Sequence, residues 1–321
     1  ENAMPEPQRR PEWLKMPYPD GTNFRDLKGL VGDQKLHTVC ESARCPNIGE
    51  CWNHRTATFM LLGDVCTRSC GFCNIATGRP GAVDEGEPER VADAVAYLGL
   101  RYAVLTSVNR DELPDGGAGI YARTLTEIHR RLPTCQVEVL IPDFKGDEQP
   151  LYTVLDANPC VLNHNVETVP RLYRYVHPQA NYERDLTLFR RSRAYRPDIP
   201  VKTGLMVGHG EEFDECVDLM RDLLEAGVST MTIGQYLRPT PKHLPIVRYW
   251  SPAEFAQLRR AGLDLGFAHI EAGPLVRSSY HAAEQEAAAS GKEFEALTNE
   301  QPTRAPGASG RRGLAIRAES S

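Results

Sequence analysis

The stretch "ATFMLLGDVCTRSCGFC", residues 57–73, joins a short apolar run to three closely spaced cysteines. From this run onward, apolar segments alternate with amphipathic helical patterns, about six or seven times, as far as "AHIEAGPLV" at residues 268–276. Strands that are apolar almost throughout and alternate with helices indicate a parallel sheet covered by helices. The number of units favours an α/β full or partial barrel, and no glycine-rich dinucleotide fingerprint follows the first strand.

The three cysteines Cys66, Cys70 and Cys73 lie in the long loop that follows the first predicted strand. In barrels, the loops at the carboxyl ends of the strands build the active site. The sequence therefore predicts that this triplet lies at the catalytic mouth.

The chain has nine cysteines, and six of them lie between Cys40 and Cys73. Without a secretory signal, such clustering predicts metal binding rather than a disulfide framework. Cys216 falls on the apolar face of a predicted helix, and Cys135 and Cys160 each begin an apolar run. We expect these three to be ordinary core cysteines.

The 321 residues include 37 Lys and Arg against 43 Asp and Glu, a formal charge of -6. This balance argues against bulk electrostatic binding to nucleic acid or to an anionic membrane. No apolar run approaches the ~20 residues that a membrane-spanning helix needs, and no secretory signal is visible. We expect a cytoplasmic protein with no nucleic-acid or membrane partner.

The spacing C-x3-C-x2-C supplies only three thiolates. A [4Fe–4S] cube bound this way keeps one iron without a protein ligand, and an open coordination position is typical of catalytic metal sites. The alternative is half of a zinc site completed from elsewhere. Cys40, Cys45 and Cys51 form a second triplet, which fits either a second cubane or a zinc cluster shared by all six cysteines.

Several motifs together resemble lipoyl synthases of the radical S-adenosylmethionine (SAM) superfamily, and the similarity extends from about Trp13 to Ala282. The motifs are "CESARCPNIGECW", "CTRSCGFC", "TSVNRDELPDGG", "NHNVET", "TGLMVGHGE", "TIGQYLRP" and "RSSYHA". The resemblance implies a partial (β/α)6-type TIM barrel with N-terminal and C-terminal extensions. We expect an extension over residues 1–55, a barrel over 56–276 and a C-terminal segment over 277–321.

The resemblance also implies the cofactors. Cys66, Cys70 and Cys73 match the ligands of a [4Fe–4S] cluster whose open iron takes the amino and carboxylate groups of SAM, with Phe72 beside it. Reductive cleavage of SAM then gives a 5′-deoxyadenosyl radical. Cys40, Cys45 and Cys51 match the ligands of an auxiliary [4Fe–4S] cluster, whose fourth ligand is Ser279. This cluster is the implied sulfur donor, which makes Ser279 a catalytic candidate.

The implied reaction inserts sulfur at carbons 6 and 8 of an octanoyl chain that is linked to a lysine of a lipoyl carrier protein or lipoyl domain. The implied partners are that carrier, an electron donor such as ferredoxin or flavodoxin, and an iron–sulfur cluster carrier.

An alkyl C–H bond has no useful acidity, so a general base cannot activate it and a radical is required. Alkoxide suits iron less well than thiolate, so we hypothesise that Ser279 is where the auxiliary cluster releases iron. Unchanged turnover after Ser279→Cys would count against this hypothesis.

Other candidates rest on weaker signals. Asn163, Asn165 and Glu167 alternate along a predicted strand and would face the barrel interior, as cofactor contacts or as a buried hydrogen-bond network. Gly204 and Gly208 allow close backbone approach at a strand end, beside the adenine in the superfamily. His209 occupies a position that is usually apolar in the family.

A basic band could dock an acidic carrier, although a solvated helix face explains it equally simply. The band consists of Arg171, Arg174, Arg190, Arg191 and Arg193.

The terminal regions carry their own expectations. The first 35 residues predict an extended arm anchored by Trp13 and Phe24. A short helix is expected up to Leu297, followed by a disordered tail.

Two rival functions are a methylthiotransferase that modifies tRNA and a zinc-stabilised binding module. The first would carry a basic C-terminal RNA-binding domain, which this chain lacks. The second would give colourless protein with zinc instead of brown protein with iron and sulfide.

Overall fold

The structure is a computed structural model, and it describes residues 10–15, 24–25, 28–29, 36–42, 45–54 and 56–289. Within these residues, seven strands form one parallel sheet in which each strand pairs with the next along the chain. They are β1 (Thr56–Leu61), β2 (Tyr102–Ser107), β3 (Gln136–Leu140), β4 (Val161–Asn163), β5 (Val201–Val207), β6 (Thr230–Gln235) and β7 (His269–Gly273). No pairing joins β7 to β1 in this part of the chain, so the sheet is an open barrel.

One helix follows each strand. The helices are α1 (Glu87–Leu98), α2 (Ala118–Arg131), α3 (Glu148–Asp156), α4 (Tyr182–Tyr195), α5 (Phe213–Glu225), α6 (Pro252–Leu265) and α7 (Ala282–Ala289). The first six connect successive strands, which confirms the α/β class and the partial (β/α)6-type barrel. The division into three segments at residues 55 and 276 stays a prediction.

Shorter elements occur in the connections. Single helical turns span Glu12–Leu14, Val39–Ser42, Ile48–Asn53, Phe144–Gly146, Pro170–Leu172 and Tyr173–Val176, and a short parallel pair joins Val65–Cys66 to Ala76–Thr77.

Local sequence explains why the helices begin and end where they do. At α6, Ser251 and Glu254 form a reciprocal capping box, and Pro252 occupies the first turn. These groups satisfy backbone N–H groups that have no partner inside the helix. The helix ends at Gly266, whose φ of 116° is unfavourable for residues with a side chain.

A buried ion pair lies on the concave side of the sheet. Lys202 of β5 places its Nζ 2.9 Å and 3.1 Å from the two carboxylate oxygens of Glu138 of β3. Tyr102 also donates to this carboxylate, at 3.0 Å. Because β4 separates β3 from β5, this contact spans the curvature of the sheet and fills the barrel below the strand ends.

The C-terminal segment occupies the open edge of the barrel. Asn47 donates from its Nδ2 to Leu275 O at 2.8 Å, which ties the N-terminal cysteine segment to the region after β7. Beyond it, Ala282 of α7 packs on Tyr102 and Val104 of β2. The two terminal extensions therefore meet across the edge that β1 and β7 leave open.

The N-terminal expectations are confirmed in part. Phe24 packs on Trp52 with ring centroids 5.3 Å apart. Trp13, in contrast, is 45% exposed, so the prediction that it anchors the arm is wrong; its neighbour Leu14 is fully buried instead. The remaining expectations for residues 1–35 lie largely outside the described residues. The predicted helix end at Leu297 and the disordered tail also fall outside them.

The cysteines outside the two triplets behave as expected in two cases. Cys135 and Cys216 are buried, whereas Cys160 is half-buried beside the Tyr102 hydroxyl group.

Candidate active site: a cavity between two cysteine triplets

A cavity of about 550 Å³ opens at the carboxyl ends of the strands. The cysteines that line it are Cys40, Cys45, Cys66, Cys70 and Cys73, and Ser279 lies beside them. A smaller adjoining cavity is lined by Cys51 together with Cys40, Cys45 and Ser279. The fold therefore brings both triplets and the C-terminal serine around one connected space.

The loop of Cys66, Cys70 and Cys73 presents N–H donors to sulfur. The backbone N–H groups of Arg68 and Asn109 lie 3.4 Å and 3.3 Å from Cys66 Sγ. Burial raises the pKa of Cys73 to about 11. Burial and then the nearby Cys73 and Glu167 also raise the pKa of Cys70. The raised pKa values of Cys70 and Cys73 mean that these thiols ionise most readily against positive charge, which an iron–sulfur cluster supplies. The donor set fits such a cluster.

Arg68 fastens this loop to the barrel. Its buried guanidinium makes two hydrogen bonds to Asp111, both 2.8 Å, and two to Asp143, 2.9 Å and 2.7 Å. Arg184 adds a 2.6 Å ion pair to Asp143. Burial alone would raise the pKa of Asp143, but the hydrogen bonds and charge of Arg68 hold it at about 2. Sequence reasoning did not single out Arg68, although an arginine between two ligand cysteines was the available signal.

The loop after β6 covers the same triplet. Leu244 N–H donates to Gly71 O at 3.0 Å, and His243 Nε2 donates to Cys73 O at 2.9 Å. A Cβ on Gly71 would lie 2.7 Å from Leu244 Cγ, so a larger residue here would displace the Leu244 side chain. Phe72 also lines the cavity and meets the His177 ring edge-on, with centroids 6.1 Å apart.

Short helices hold the triplet of Cys40, Cys45 and Cys51. The backbone N–H of Asn47 points at Cys45, where it partly offsets the burial that raises the pKa of the Cys45 thiol. Burial likewise raises the pKa of Cys40 to about 11, with Cys45 adding to the rise. Because their pKa values are raised, these two thiols ionise most readily beside a positively charged metal cluster. Asn47 thus supplies a backbone N–H donor to this triplet.

Ser279 reaches this triplet from the C-terminal segment. It accepts a hydrogen bond from Thr58 Oγ1 of β1 at 2.9 Å. Upstream, the segment passes so close to β6 that a Cβ on Gly234 would lie 2.1 Å from Val276 O. Downstream, the Tyr280 hydroxyl group donates to the carboxylate of Glu50 at 3.2 Å. Several contacts therefore fix the serine beside Cys40.

Asn163, Asn165 and Glu167 all line the cavity, but the expectation that they alternate along one strand is wrong. The strand β4 ends at Asn163, and Glu167 has a left-handed φ of 64°. Regular pairing ends here because Val166 N–H bonds to the side-chain Oγ1 of Thr203 in β5 instead of to a backbone carbonyl. Glu167 N–H then bonds to Gly204 O at 3.0 Å.

These three side chains have different surroundings. Asn163 donates to Glu138 at 3.0 Å, and Asn165 donates to Glu167 at 3.2 Å. Within the described residues, the Oδ1 atoms of Asn163 and Asn165 are buried without a hydrogen-bond partner. Burial raises the pKa of Glu167 to about 7, despite the hydrogen bond from Asn165. Unpaired acceptors beside a carboxylate fit a polar, cationic ligand such as SAM.

The two predicted glycines have separate positions. Gly204 lines the cavity, and a Cβ there would lie 2.6 Å from Asn165 Oδ1. Gly208 is not part of the lining; with a φ of 121°, it packs against Gln235 and Arg248. Its position supports a turn after β5 rather than direct contact with a cofactor. The adjacent His209 stacks on Tyr236 at 4.1 Å, and burial lowers the pKa of its ring to about 4.

The basic band is dispersed and partly neutralised. Arg171 pairs with Glu215 at 2.6 Å, and Arg191 lies 3.6 Å from Glu148. Arg174 and Arg190 are exposed. The band is therefore not one uniform cationic face.

Two searches restricted to the described part of the chain complete the description. No group of three or more His, Cys, Asp or Glu side chains there has the geometry to hold a single metal ion. None of its helices is both long enough and apolar enough to span a membrane.

Comparisons with known proteins point in one direction. Residues 60–223 match the model of the radical SAM superfamily, and residues 2–45 match the N-terminal domain of lipoyl synthase of that family. A lipoyl synthase from Rubrobacter xylanophilus is 60% identical over 276 residues, 86% of each chain. One from Roseiflexus sp. is 57% identical over 274 residues, 85% of this chain and 91% of that one.

Solved structures share the fold at low identity. Methylornithine synthase superposes with a TM-score of 0.52 at 12% identity, covering 75% of this chain and 73% of that one. The FeFe-hydrogenase maturase HydG from Carboxydothermus hydrogenoformans gives 0.51 at 15% identity, covering 83% and 69%.

Proposed function

The chain belongs to the lipoyl synthase family of the radical SAM superfamily, and we propose that it inserts sulfur at carbons 6 and 8 of a protein-bound octanoyl-lysine. Membership assigns one [4Fe–4S] cluster, SAM and a lipoyl-domain substrate. The observation that carries the finer proposal is that Cys40, Cys45, Cys66, Cys70, Cys73 and Ser279 line one cavity, while Cys51 lines the smaller cavity beside it. A carbon radical must meet a sulfur atom within contact distance, so radical generation and sulfur donation have to share one space.

When bound, a cluster with SAM supplies the radical that removes a hydrogen atom, and an auxiliary cluster supplies the sulfur. Cys66, Cys70 and Cys73 would hold the first cluster, with the N–H groups of Arg68 and Asn109 stabilising the Cys66 thiolate. Cys40, Cys45, Cys51 and Ser279 would hold the auxiliary cluster.

The polar wall of the cavity would bind SAM. Glu167 offers a carboxylate to the cationic groups of SAM, while Asn163 and Asn165 offer the acceptors described above. Gly204 leaves space against the strand, and Phe72 closes the side near the cysteine loop. The role of Gly208 in this proposal is limited to the turn that follows β5.

The remaining wall suits an alkyl chain. Met60, Val104, Leu140, Leu205 and Val276 line the cavity and give an apolar path between the two triplets. Such walls bind a hydrocarbon chain by burying it and also keep water from a reactive intermediate.

Several finer features are part of the proposal. The partners would be an octanoylated lipoyl carrier protein or domain, ferredoxin or flavodoxin as electron donor, and an iron–sulfur cluster carrier. The exposed Arg174 and Arg190 could take part in carrier docking. A cytoplasmic location stays a prediction.

The test is anaerobic incubation of an octanoyl-lysyl peptide with the iron-loaded protein, SAM and a reductant. Mass spectrometry should find two added sulfur atoms per peptide and two molecules of 5′-deoxyadenosine. Cys66→Ala should abolish both products, because the radical would not form. Cys40→Ala should still form 5′-deoxyadenosine but no sulfur-containing product.

Cys216→Ala is the matched control, because this buried cysteine lies in α5 outside the cavity. It should retain both products. Colourless protein that holds zinc, or sulfur insertion that survives Cys40→Ala, would refute the proposal.

A further inference from the structure

Thr58 touches both parts of the auxiliary site. Its Oγ1 donates to Ser279 Oγ at 2.9 Å. Thr58 and Cys40 also line the same two cavities as Ser279. Thr58 is only 5% exposed, so these contacts are made out of bulk water. Its hydroxyl group thus sits between a cysteine and a serine that are distant in sequence.

The backbone of Thr58 is held from two sides. In β1 it is in register with Val104 of β2. On the other side, the next residue, Phe59, forms an antiparallel bridge with Thr38, and Met60 N–H bonds to His37 O at 2.9 Å. A hydroxyl group on a backbone fixed in this way has little freedom to move. It can therefore hold Ser279 in place, because Ser279 belongs to a segment without strand pairing.

A serine ligand has a requirement that a cysteine does not share. Its hydroxyl group must lose a proton to bind iron as an alkoxide, and a buried anionic oxygen is costly unless a donor stabilises it. Within the described residues, Thr58 supplies a donor in the correct place before any metal binds.

The role of Thr58 rests on the auxiliary cluster of the proposed function. We propose that Thr58 is the positioning residue for Ser279. It holds Ser279 Oγ beside Cys40 and donates a hydrogen bond to that oxygen when the oxygen binds iron. Without this hydroxyl group, the three thiolates remain, but the fourth ligand is misoriented and lacks its donor. When an added oxidant removes one electron from a [4Fe–4S]2+ cluster, the iron at that corner would then leave more easily as Fe2+, and a [3Fe–4S]+ cluster would remain.

The test measures that loss by electron paramagnetic resonance after mild oxidation. Because the SAM cluster also has an iron without a protein ligand, the full chain is used with Cys66, Cys70 and Cys73 all replaced by Ala. In this background, Thr58→Val should increase the three-iron signal roughly tenfold, the effect expected for losing a hydrogen bond to a charged group. Thr58→Ser, which keeps the hydroxyl group, should restore the low signal.

Thr124→Val is the matched control. Thr124 is a fully buried threonine of α2 whose hydroxyl group donates to Ile120 O, away from the cavity. It should leave the signal low. If Thr58→Val does not fold, Thr58→Ala replaces it as a second variant without the hydroxyl group.

The outcomes separate the two levels of inference. A low signal in Thr58→Val, or an equally high signal in Thr58→Ser, overturns the role of Thr58 while the auxiliary cluster stands. If the background with native Thr58 assembles no cluster at all, the auxiliary site itself is refuted and this inference fails with it.

Discussion

At the scale of single residues, the site depends on charges that are buried together. Arg68 lies between Asp111 and Asp143, and its side chain is only 4% exposed. Burying one such charge alone is costly, whereas a network in which each hydrogen-bonding group is paired is tolerated. The same principle gives Glu167 its unusual proton affinity, since no cation pairs with it in the protein as described.

Arg68→Ala should destabilise the protein by about 3–5 kcal/mol, because Asp111 and Asp143 lose a buried partner. Urea unfolding under anaerobic conditions measures the change. Arg79→Ala, in the same loop but exposed, should stay within about 0.5 kcal/mol. Since the folded-state pKa of Asp143 is depressed to about 2, its contribution is full above the unfolded pKa of 3.8 and is lost as pH falls toward 2. This acid loss should be smaller in Arg68→Ala; an equal loss would contradict the role of Arg68.

Glu167→Gln should weaken SAM binding roughly tenfold at pH 8, where the native carboxylate is ionised. With a pKa of about 7, native affinity should increase as pH rises from 6 to 8, because deprotonation creates the charge that attracts the cation. The variant should show no such rise. Equilibrium dialysis with labelled SAM measures both, and the exposed Glu225→Gln serves as control. A variant with the native pH profile would exclude Glu167 from SAM binding.

At the scale of elements, the critical contact is between β6 and the C-terminal segment. Neither element has chemistry of its own, but their close approach determines where Ser279 lies. The approach is possible because Gly234 has no side chain, and the nearest atom is a backbone oxygen that cannot rotate away. A glycine inside a strand often marks such a backbone contact.

Gly234→Ala should displace the C-terminal segment and remove the auxiliary cluster selectively. We expect iron and sulfide to fall to about half of the native content, while SAM cleavage to 5′-deoxyadenosine continues because Arg68 and the loop after β6 hold the Cys66–Cys73 loop. Iron and sulfide analysis gives the first value and chromatography the second. Gly81→Ala, where a Cβ would meet nothing within 4 Å, should match the native protein. Full iron content in Gly234→Ala would show that the segment tolerates displacement.

At the scale of the whole molecule, the barrel is open and is completed by other parts of the chain. The Glu138–Lys202 pair crosses the concave side of the sheet, and the terminal extensions meet over the gap between β1 and β7. The cavity thus has a polar floor, walls of strand residues and an edge built from both extensions.

Lys202→Met should destabilise the fold by about 3–5 kcal/mol, because Glu138 would remain buried without its counter-charge. Arg221→Met breaks an exposed ion pair with Asp218 and should cost no more than about 1 kcal/mol. The midpoints of urea unfolding compare the two. Equal small effects would contradict a stabilising role of the Glu138–Lys202 pair.

The sequence by itself determined the alternation of strands and helices, the α/β barrel class and the position of Cys66, Cys70 and Cys73 after the first strand. These features are local, because hydrophobic periodicity and cysteine spacing are set by neighbouring residues. Cysteine clustering also marked Cys40, Cys45 and Cys51, whereas recognition of the family favoured an auxiliary cluster over zinc there and added Ser279 as a candidate. Nothing in the local pattern of "VRSSY" distinguishes a ligand from a solvent-facing serine.

Only the tertiary structure decided which distant groups meet. Thr58 and Ser279 are 221 residues apart, and Arg68 and Asp143 are 75 apart. Those contacts depend on the curvature of the sheet and on how the extensions cover its open edge. The left-handed turn at Glu167 is also decided by tertiary contacts. Val166 N–H bonds to a side-chain oxygen of β5, and Glu167 N–H then bonds to a backbone oxygen of β5. Hydrophobic periodicity describes only residues within one helix or strand. It therefore contains no information about distances between elements.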